Sequence, residues 1–314
     1  MLKLVLFVIT ALHLTHGEHH QHGGDYEIWL DRNNVTSNIF ESGSPNNESL
    51  ICKAEILRIH KKCEVLKLDD LECASGLVSL IAEDIDLREA TLKELPPSVQ
   101  NVTIVRNNLQ QLKVNAFSNL TVQLLNLTGN KIESIHPSAF DYMRNLTQLI
   151  LDHNELTTFN FTFLDCPKLK LLSLRFNFIK SLGEGALKPL KLNVLTVLLS
   201  YNNIREIHKT AMDVKQFHEV KIDHNELSDA QLLIKLTKAD LVDLSDNKIT
   251  CLPKEFMENG LSKIKVLNLT GNPLECHCLN DLKKKVKKNI EFQKMSPLVQ
   301  NINIVLPKHD TKTC

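Results

Sequence analysis

The stretch Leu146-Thr147-Gln148-Leu149-Ile150-Leu151-Asp152-His153-Asn154-Glu155-Leu156 decides how the rest of the chain is read. Leu149 and Leu151 sit two apart, as in a short strand with one buried face, and Leu146 and Leu156 close the backbone on either side of it. Asn154 is expected to turn inward as well. A buried amide is tolerated only when its N–H donors and its carbonyl are paired, and the free backbone groups of a stacked neighbouring copy would supply those partners. The phrase L-x-x-L-x-L-x-x-N-x-L occurs eight times over 99–274, with its asparagines at Asn107, Asn130, Asn154, Asn177, Asn202, Asn225, Asn247 and Asn272, spaced 22 to 25 residues apart.

The second half of each copy is also patterned. Leu112, Ile135, Phe159, Leu182, Ile207 and Leu252 stand five residues past their asparagines. Phe117, Phe140, Phe163, Leu187, Met212 and Phe256 follow at nine or ten. The sixth copy, with Ser228-Asp229-Ala230-Gln231 and no aromatic, departs from this rule. Each fully buried side chain of this kind contributes roughly 1.5–3 kcal/mol, enough to hold stacked coils together through nearest-neighbour contacts. A period of this length is that of a leucine-rich repeat. The expected fold is an α/β solenoid: a leucine-rich repeat horseshoe with a parallel concave β-sheet, an irregular or short-helical convex side, and N- and C-terminal caps.

With 37 basic and 37 acidic residues in 314, the chain has no net field to gather nucleic acid or an anionic membrane. Residues 1–17 read as a secretory signal peptide: Lys3, an apolar run from Leu4 to Leu12, then Thr15-His16-Gly17. No later stretch approaches the ~18 apolar residues of a transmembrane anchor, so a secreted, extracellular product is expected. Residues 18–49, rich in His, Asn, Ser and Gly, read as a disordered polar segment. Residues 50–98 read as an N-terminal cap with degenerate repeats, in which the segment from Cys63 to Cys73 fits the phrase if cysteines replace its outer leucines. The eight repeats occupy 99–274, and 275–314 form a cysteine-containing C-terminal cap.

The disulfide candidates are Cys52 with Cys63, and Cys276, Cys278 and Cys314. Three cysteines after the last repeat leave one over, for which Cys251, Cys166, a free thiol or a second chain are all open. A disulfide-linked dimer is one consequence.

Function in such a fold falls to the strand positions not used by the core. The residue between the central aliphatics and the residue before each asparagine together place Ile150, His153, Phe176, Leu198, Tyr201 and His224 in the middle repeats, and Phe178, just after its asparagine, adds to that apolar patch. Exposed apolar surface of that extent marks a contact site for a protein or microbial-surface ligand. The Asn-x-Ser/Thr acceptors are Asn34, Asn47, Asn101, Asn119, Asn126, Asn145, Asn160 and Asn268. Glycans at Asn126 and Asn268 would stand on the concave face near its ends, so the binding site should be central. His153 and His224, in the repeated pentamer Asp-His-Asn-Glu-Leu, would lie about 14 Å apart at ~4.8 Å per strand, too far to share an ion. No metal and no cofactor are expected, no catalytic motif occurs, and the protein is not read as an enzyme.

The repeats together with Asn272-Pro273-Leu274-Glu275-Cys276-His277-Cys278 resemble extracellular leucine-rich repeat proteins such as Toll-type receptor ectodomains. The stretches 225–230 and 241–245 are similar to a segment of the secreted leucine-rich immune proteins of mosquitoes. That resemblance implies innate-immune recognition, through binding of complement-like proteins or microbial surfaces, in disulfide-linked pairs. The alternative is an extracellular adhesion or matrix module that binds proteins through the same surface.

Overall fold

The computed structural model describes residues 28–32, 35–38, 56–59, 65–67, 78–92, 95, 97–190, 194–237, 239–295 and 303–305. The signal peptide, Asn34, Asn47, Cys52, Cys63 and Cys314 lie outside them. The chain divides into two compact units, one formed by 1–154 with 161–168 and the other by 155–160 with 169–314.

In the first unit the strands are β1 (Ile28–Arg32), β2 (Val35–Asn38), β3 (Ile56–Ile59), β4 (Val65–Lys67), β5 (Ser79–Glu83), β6 (Glu89–Thr91), β7 (Asn101–Val105), β8 (Gln111–Leu112), β9 (Leu124–Asn126), β10 (Ser134–Ile135) and β11 (Gln148–Ile150). The main sheet runs β2-β1-β3-β5-β7-β9-β11. It is parallel from β3 onward, in the one-strand-per-coil order of a solenoid. Short parallel pairs β4–β6 and β8–β10 form on the other side of the coils.

Two features differ from what composition and pattern predict. Within 18–49, read as disordered, β1 and β2 form an antiparallel pair, and β1 joins β3. A solenoid's first strand otherwise presents an open row of backbone groups, and an antiparallel addition covers it. Within 50–98 the strands in the main sheet are β3 and β5, and the segment that begins at Cys63 supplies neither. Ile56 pairs with Ser79, one repeat length away, so Val65–Lys67 falls on the opposite side of its coil.

Leu80, Ala82, Val102, Ile104, Leu125, Leu127, Leu149 and Leu151 project inward and are buried. Behind them Phe117 stacks on Phe140 at 6.2 Å and Phe140 on Phe163 at 6.3 Å. Phe161 meets Phe140 and Phe163 edge-on at 5.7 and 5.5 Å. A residue repeated at one point of each coil must meet its own copy one coil away, and aromatic rings turn that repetition into favourable stacked and edge contacts.

The second unit contains β12 (Leu171–Ser173), β13 (Ser181–Leu182), β14 (Leu195–Leu198), β15 (Glu206–Ile207), β16 (Phe217–Lys221), β17 (Leu241–Asp243), β18 (Val266–Asn268) and β19 (Asn303–Val305), with helices α1 (Lys254–Asn259) and α2 (Cys276–Met295). Its sheet order is β12-β14-β16-β17-β18-β19, parallel throughout. In the sixth repeat a 3-10 turn, Gln231–Ile234, buries Leu232 and Leu233, and Leu236 follows. These aliphatics fill the space that an aromatic fills elsewhere. In the next coil α1 is entered at Pro253 and closed at Gly260, burying Phe256.

The asparagines form the spine of each unit. In the first, Asn154 Nδ2 donates to the carbonyls of Leu127 and Leu151, and its Oδ1 accepts from the N–H groups of Asn130 and Ile132. In the second, Asn202 donates to Leu174 and Leu199 and accepts from Ile179 N–H. Asn225, Asn247 and Asn272 repeat this arrangement. Asn130 is the exception, because its buried Oδ1 has no hydrogen-bond partner.

Candidate functional site

The residue before each ladder asparagine must reverse the chain as it leaves the strand, and it does so in the left-handed region. φ is 55° at Phe176, 58° at Tyr201, 54° at His224 and 53° at Asp246, with Gly271 at 72°. Each non-glycine N–H of this row donates to a carbonyl of the following coil, of Ser200, Asp223, Ser245 and Thr270 in turn. The side chains are therefore held at one repeated position, one coil apart.

Three aromatic rings occupy successive places in this row. Phe176 stacks on Tyr201 with centroids 4.5 Å apart and planes 11° from parallel. Tyr201 stacks on His224 at 4.1 Å and 17°. These separations approach the strand spacing of a sheet, so the backbone period brings the rings together. All three remain exposed, Phe176 at 39% and Tyr201 at 44%. The faces that meet in the stack are covered.

The row ends in charge. His224 Nδ1 lies 3.0 Å from Asp223 Oδ2, and its Nε2 3.5 Å from Asp246 Oδ2. Asp223 Oδ1 accepts a hydrogen bond from Ser200 Oγ at 2.5 Å. The next position is Gly271, where a β-carbon would collide with the Asp246 carboxylate. Glycine there leaves the room in which Asp246 lies.

Other residues singled out in the sequence fall elsewhere. Leu198 is half-buried on β14, in register with Ser173 and Lys221 on the face of the sheet. Phe178 is exposed but belongs to a separate row: its N–H donates to Leu156, as Asn203, Glu226 and Lys248 donate to Ile179, Ile204 and Leu227. Ile150, half-buried on β11, and His153, exposed with φ 54°, belong to the first unit. The row of Phe178 carries charge, with Glu226 held by Lys248 at 2.7 Å and by Arg205 at 3.3 Å. Those bonds, that of Lys248 foremost, with one from Asn203, lower the Glu226 pKa to about 2.

Among the acceptor asparagines, Asn126 on β9 and Asn268 on β18 each accept from the N–H and hydroxyl of the threonine two residues on. Asp243 makes the same turn with Ser245. At these three positions the side-chain oxygen thus closes a local turn, whatever a glycan adds. Cys251 is bonded to Cys278, and Cys276 is disulfide-bonded as well. Cys166 is a buried free thiol whose Sγ lies 3.2 Å from the carbonyl of Phe140. Sequence reasoning left the Cys251 pairing among several options, because the partners are brought together only by the coil that separates them.

The first unit has a polar pocket of about 360 Å³ lined by Asp84, Asp86, Arg106, Asn107, Asn108, Gly129 and Lys131. Arg106 is paired there with Asp84 and Glu83. No described helix is long and apolar enough to cross a membrane.

Residues 97–156 match the family described as Leucine rich repeat. The chain is 29% identical over 192 residues to rat (Rattus norvegicus) osteomodulin, covering 59% of this chain and 44% of osteomodulin. It is 30% identical over 208 residues to mouse (Mus musculus) lumican, covering 53% and 59%. It spans about half the length of these curated relatives. Among solved structures, the mouse RP105/MD-1 complex aligns with a TM-score of 0.57 at 22% identity, over 76% of this chain and 42% of that one. Stacked parallel strands, a buried asparagine spine and the match over residues 97–156 lead to one assignment: the chain has the leucine-rich repeat fold.

Proposed function

We propose that this protein is a secreted, non-catalytic binding protein that captures an extracellular protein partner through the Phe176–Tyr201–His224 row. The ring stack carries the reading. Preorganised aromatic side chains lose little conformational freedom on docking and dominate binding energy at protein interfaces. The carboxylates of Asp223 and Asp246 at one end give the contact a direction. Leu198, half-buried on β14 of the same unit, is a further apolar contact residue in this reading, while Phe178 stands in the separate charged row. The relatives osteomodulin and lumican are extracellular matrix proteins, which supports a binding role and favours a matrix partner. Innate-immune recognition of a complement-like protein or a microbial surface is the second reading, favoured by the similarity at 225–230 and 241–245.

A photo-crosslinking phenylalanine analogue in place of Tyr201 tests both. It is expected to crosslink a discrete protein from decellularised matrix, and Phe176→Ala should abolish the product without impairing secretion. A product formed only with body fluid from infected animals would transfer the assignment to immune recognition. No product from either source, or equal yield from the analogue at Lys188 outside this row, would overturn the site.

A further inference from the structure

We propose that Cys251, His277 and Cys278 form a zinc site when their disulfide is reduced, so that the last repeat holds α2 by either of two clasps. Cys251 lies just past the ladder asparagine Asn247, and Cys278 lies in the first turn of α2. The two segments are already joined by the Glu275 N–H, which donates to Thr250 O at 2.9 Å. His277 Nε2 stands 3.2 Å from Cys278 Sγ and 3.8 Å from Cys251 Sγ. Its Nδ1 is 3.4 Å from Glu275 Oε2. The ligand atoms of all four residues lie within 4.8 Å of one another.

The two sulfur–nitrogen distances bracket that of a tetrahedral site. Zinc bound at about 2.3 Å to sulfur and about 2.0 Å to nitrogen places the sulfur and nitrogen ligands about 3.6 Å apart. Two thiolates and an imidazole are also a donor set that suits zinc. Glu275 on Nδ1 is the outer carboxylate that holds a ligating imidazole with its other nitrogen free for the metal. The fourth position opens to solvent, as His277 and Glu275 are exposed and both cysteines are partly so.

While the sulfurs are bonded to each other they cannot take zinc. A dithiol reductant supplies two electrons and two protons, giving the two cysteine thiols and its own cyclic disulfide. Zinc then replaces both thiol protons. The sulfurs need to part only to about 3.8 Å, the edge of a tetrahedron with ~2.3 Å Zn–S bonds. Side-chain rotation allows this with the Cα atoms 5.4 Å apart.

The experiment uses the full chain, reduced with a limiting dithiol, desalted without oxygen and titrated with cobalt(II). Alkylation with peptide mapping identifies the thiols released. The expected result is one cobalt bound, with thiolate-to-cobalt charge-transfer absorption and the visible bands of a tetrahedral ion, both erased by zinc. His277→Ala should weaken binding, and Glu275→Gln should do so about tenfold or more. Cys166→Ser should have no effect. Absence of charge-transfer absorption after Cys251 and Cys278 are reduced would overturn the proposal. So would unchanged cobalt affinity in His277→Ala, or undiminished absorption in Cys278→Ser.

Discussion

Replacing Asn154 by alanine strips acceptors from two buried N–H groups, Asn130 and Ile132, and donors from the carbonyls of Leu127 and Leu151. An unsatisfied buried polar group costs about 1–3 kcal/mol, so Asn154→Ala should lower unfolding stability by at least about 3 kcal/mol in urea denaturation. Asn130→Ala should cost less, because Asn130 donates to Ile104 and Leu127 but its Oδ1 accepts from nothing. Equal losses would mean that the acceptor half of the ladder contributes little. Glu226 gives a pH-dependent counterpart. Its pKa falls to about 2, chiefly through Lys248. A depressed carboxylate stabilises the fold above its unfolded pKa of about 4.3, and that contribution disappears as pH falls towards about 2. In the wild type, the midpoint of urea unfolding should drop across this window, and Glu226→Gln should flatten part of the drop. Because the residue is on the surface, added salt should reduce the difference. These amides were legible from spacing alone, since a polar residue recurring among leucines at a fixed period has few places to go but inward. The Glu226 cluster was not: its partners Arg205 and Lys248 are 21 and 22 residues away, and only the winding makes them neighbours.

At the scale of elements, the Cys251–Cys278 bridge closes a separation of 27 residues and ties α2 to the preceding coil. Loop-closure entropy assigns such a bridge about 3.5 kcal/mol. A Cys251→Ser/Cys278→Ser double variant should therefore unfold earlier in urea, with α2 losing amide protection in hydrogen exchange before the strands β12, β14 and β16. Simultaneous loss everywhere would show that the clasp stabilises the unit as a whole. The aromatic row behaves oppositely. Phe176 and Tyr201 are exposed, so Phe176→Ala with Tyr201→Ala should change stability by less than about 1 kcal/mol, as surface substitutions do, while removing partner capture. Their membership of one patch was readable from their shared place before the asparagine. That they stack, and that Phe178 does not join them, depended on the left-handed turn, which sends neighbouring side chains into different rows.

For the whole molecule, the burial of Cys166 bears on association. Desolvation raises its pKa to about 11, and the native thiol should resist alkylation at pH 8, reacting only on unfolding. Any covalent dimer seen on a non-reducing gel should accordingly persist in Cys166→Ser. Their loss in that variant would show that the site opens in the native state.

The order of residues along the chain was enough for the period, the inward asparagines and the aromatic and aliphatic spine, because each is a local demand repeated until one solution satisfies all copies. It also directed attention to Phe176, Tyr201 and His224. Which strands of 50–98 enter the main sheet, which cysteine meets Cys278, and which exposed side chains share a surface emerged from the folded chain alone. Those outcomes depend on contacts between residues a full coil apart, where a shift of one position in the winding changes every neighbour.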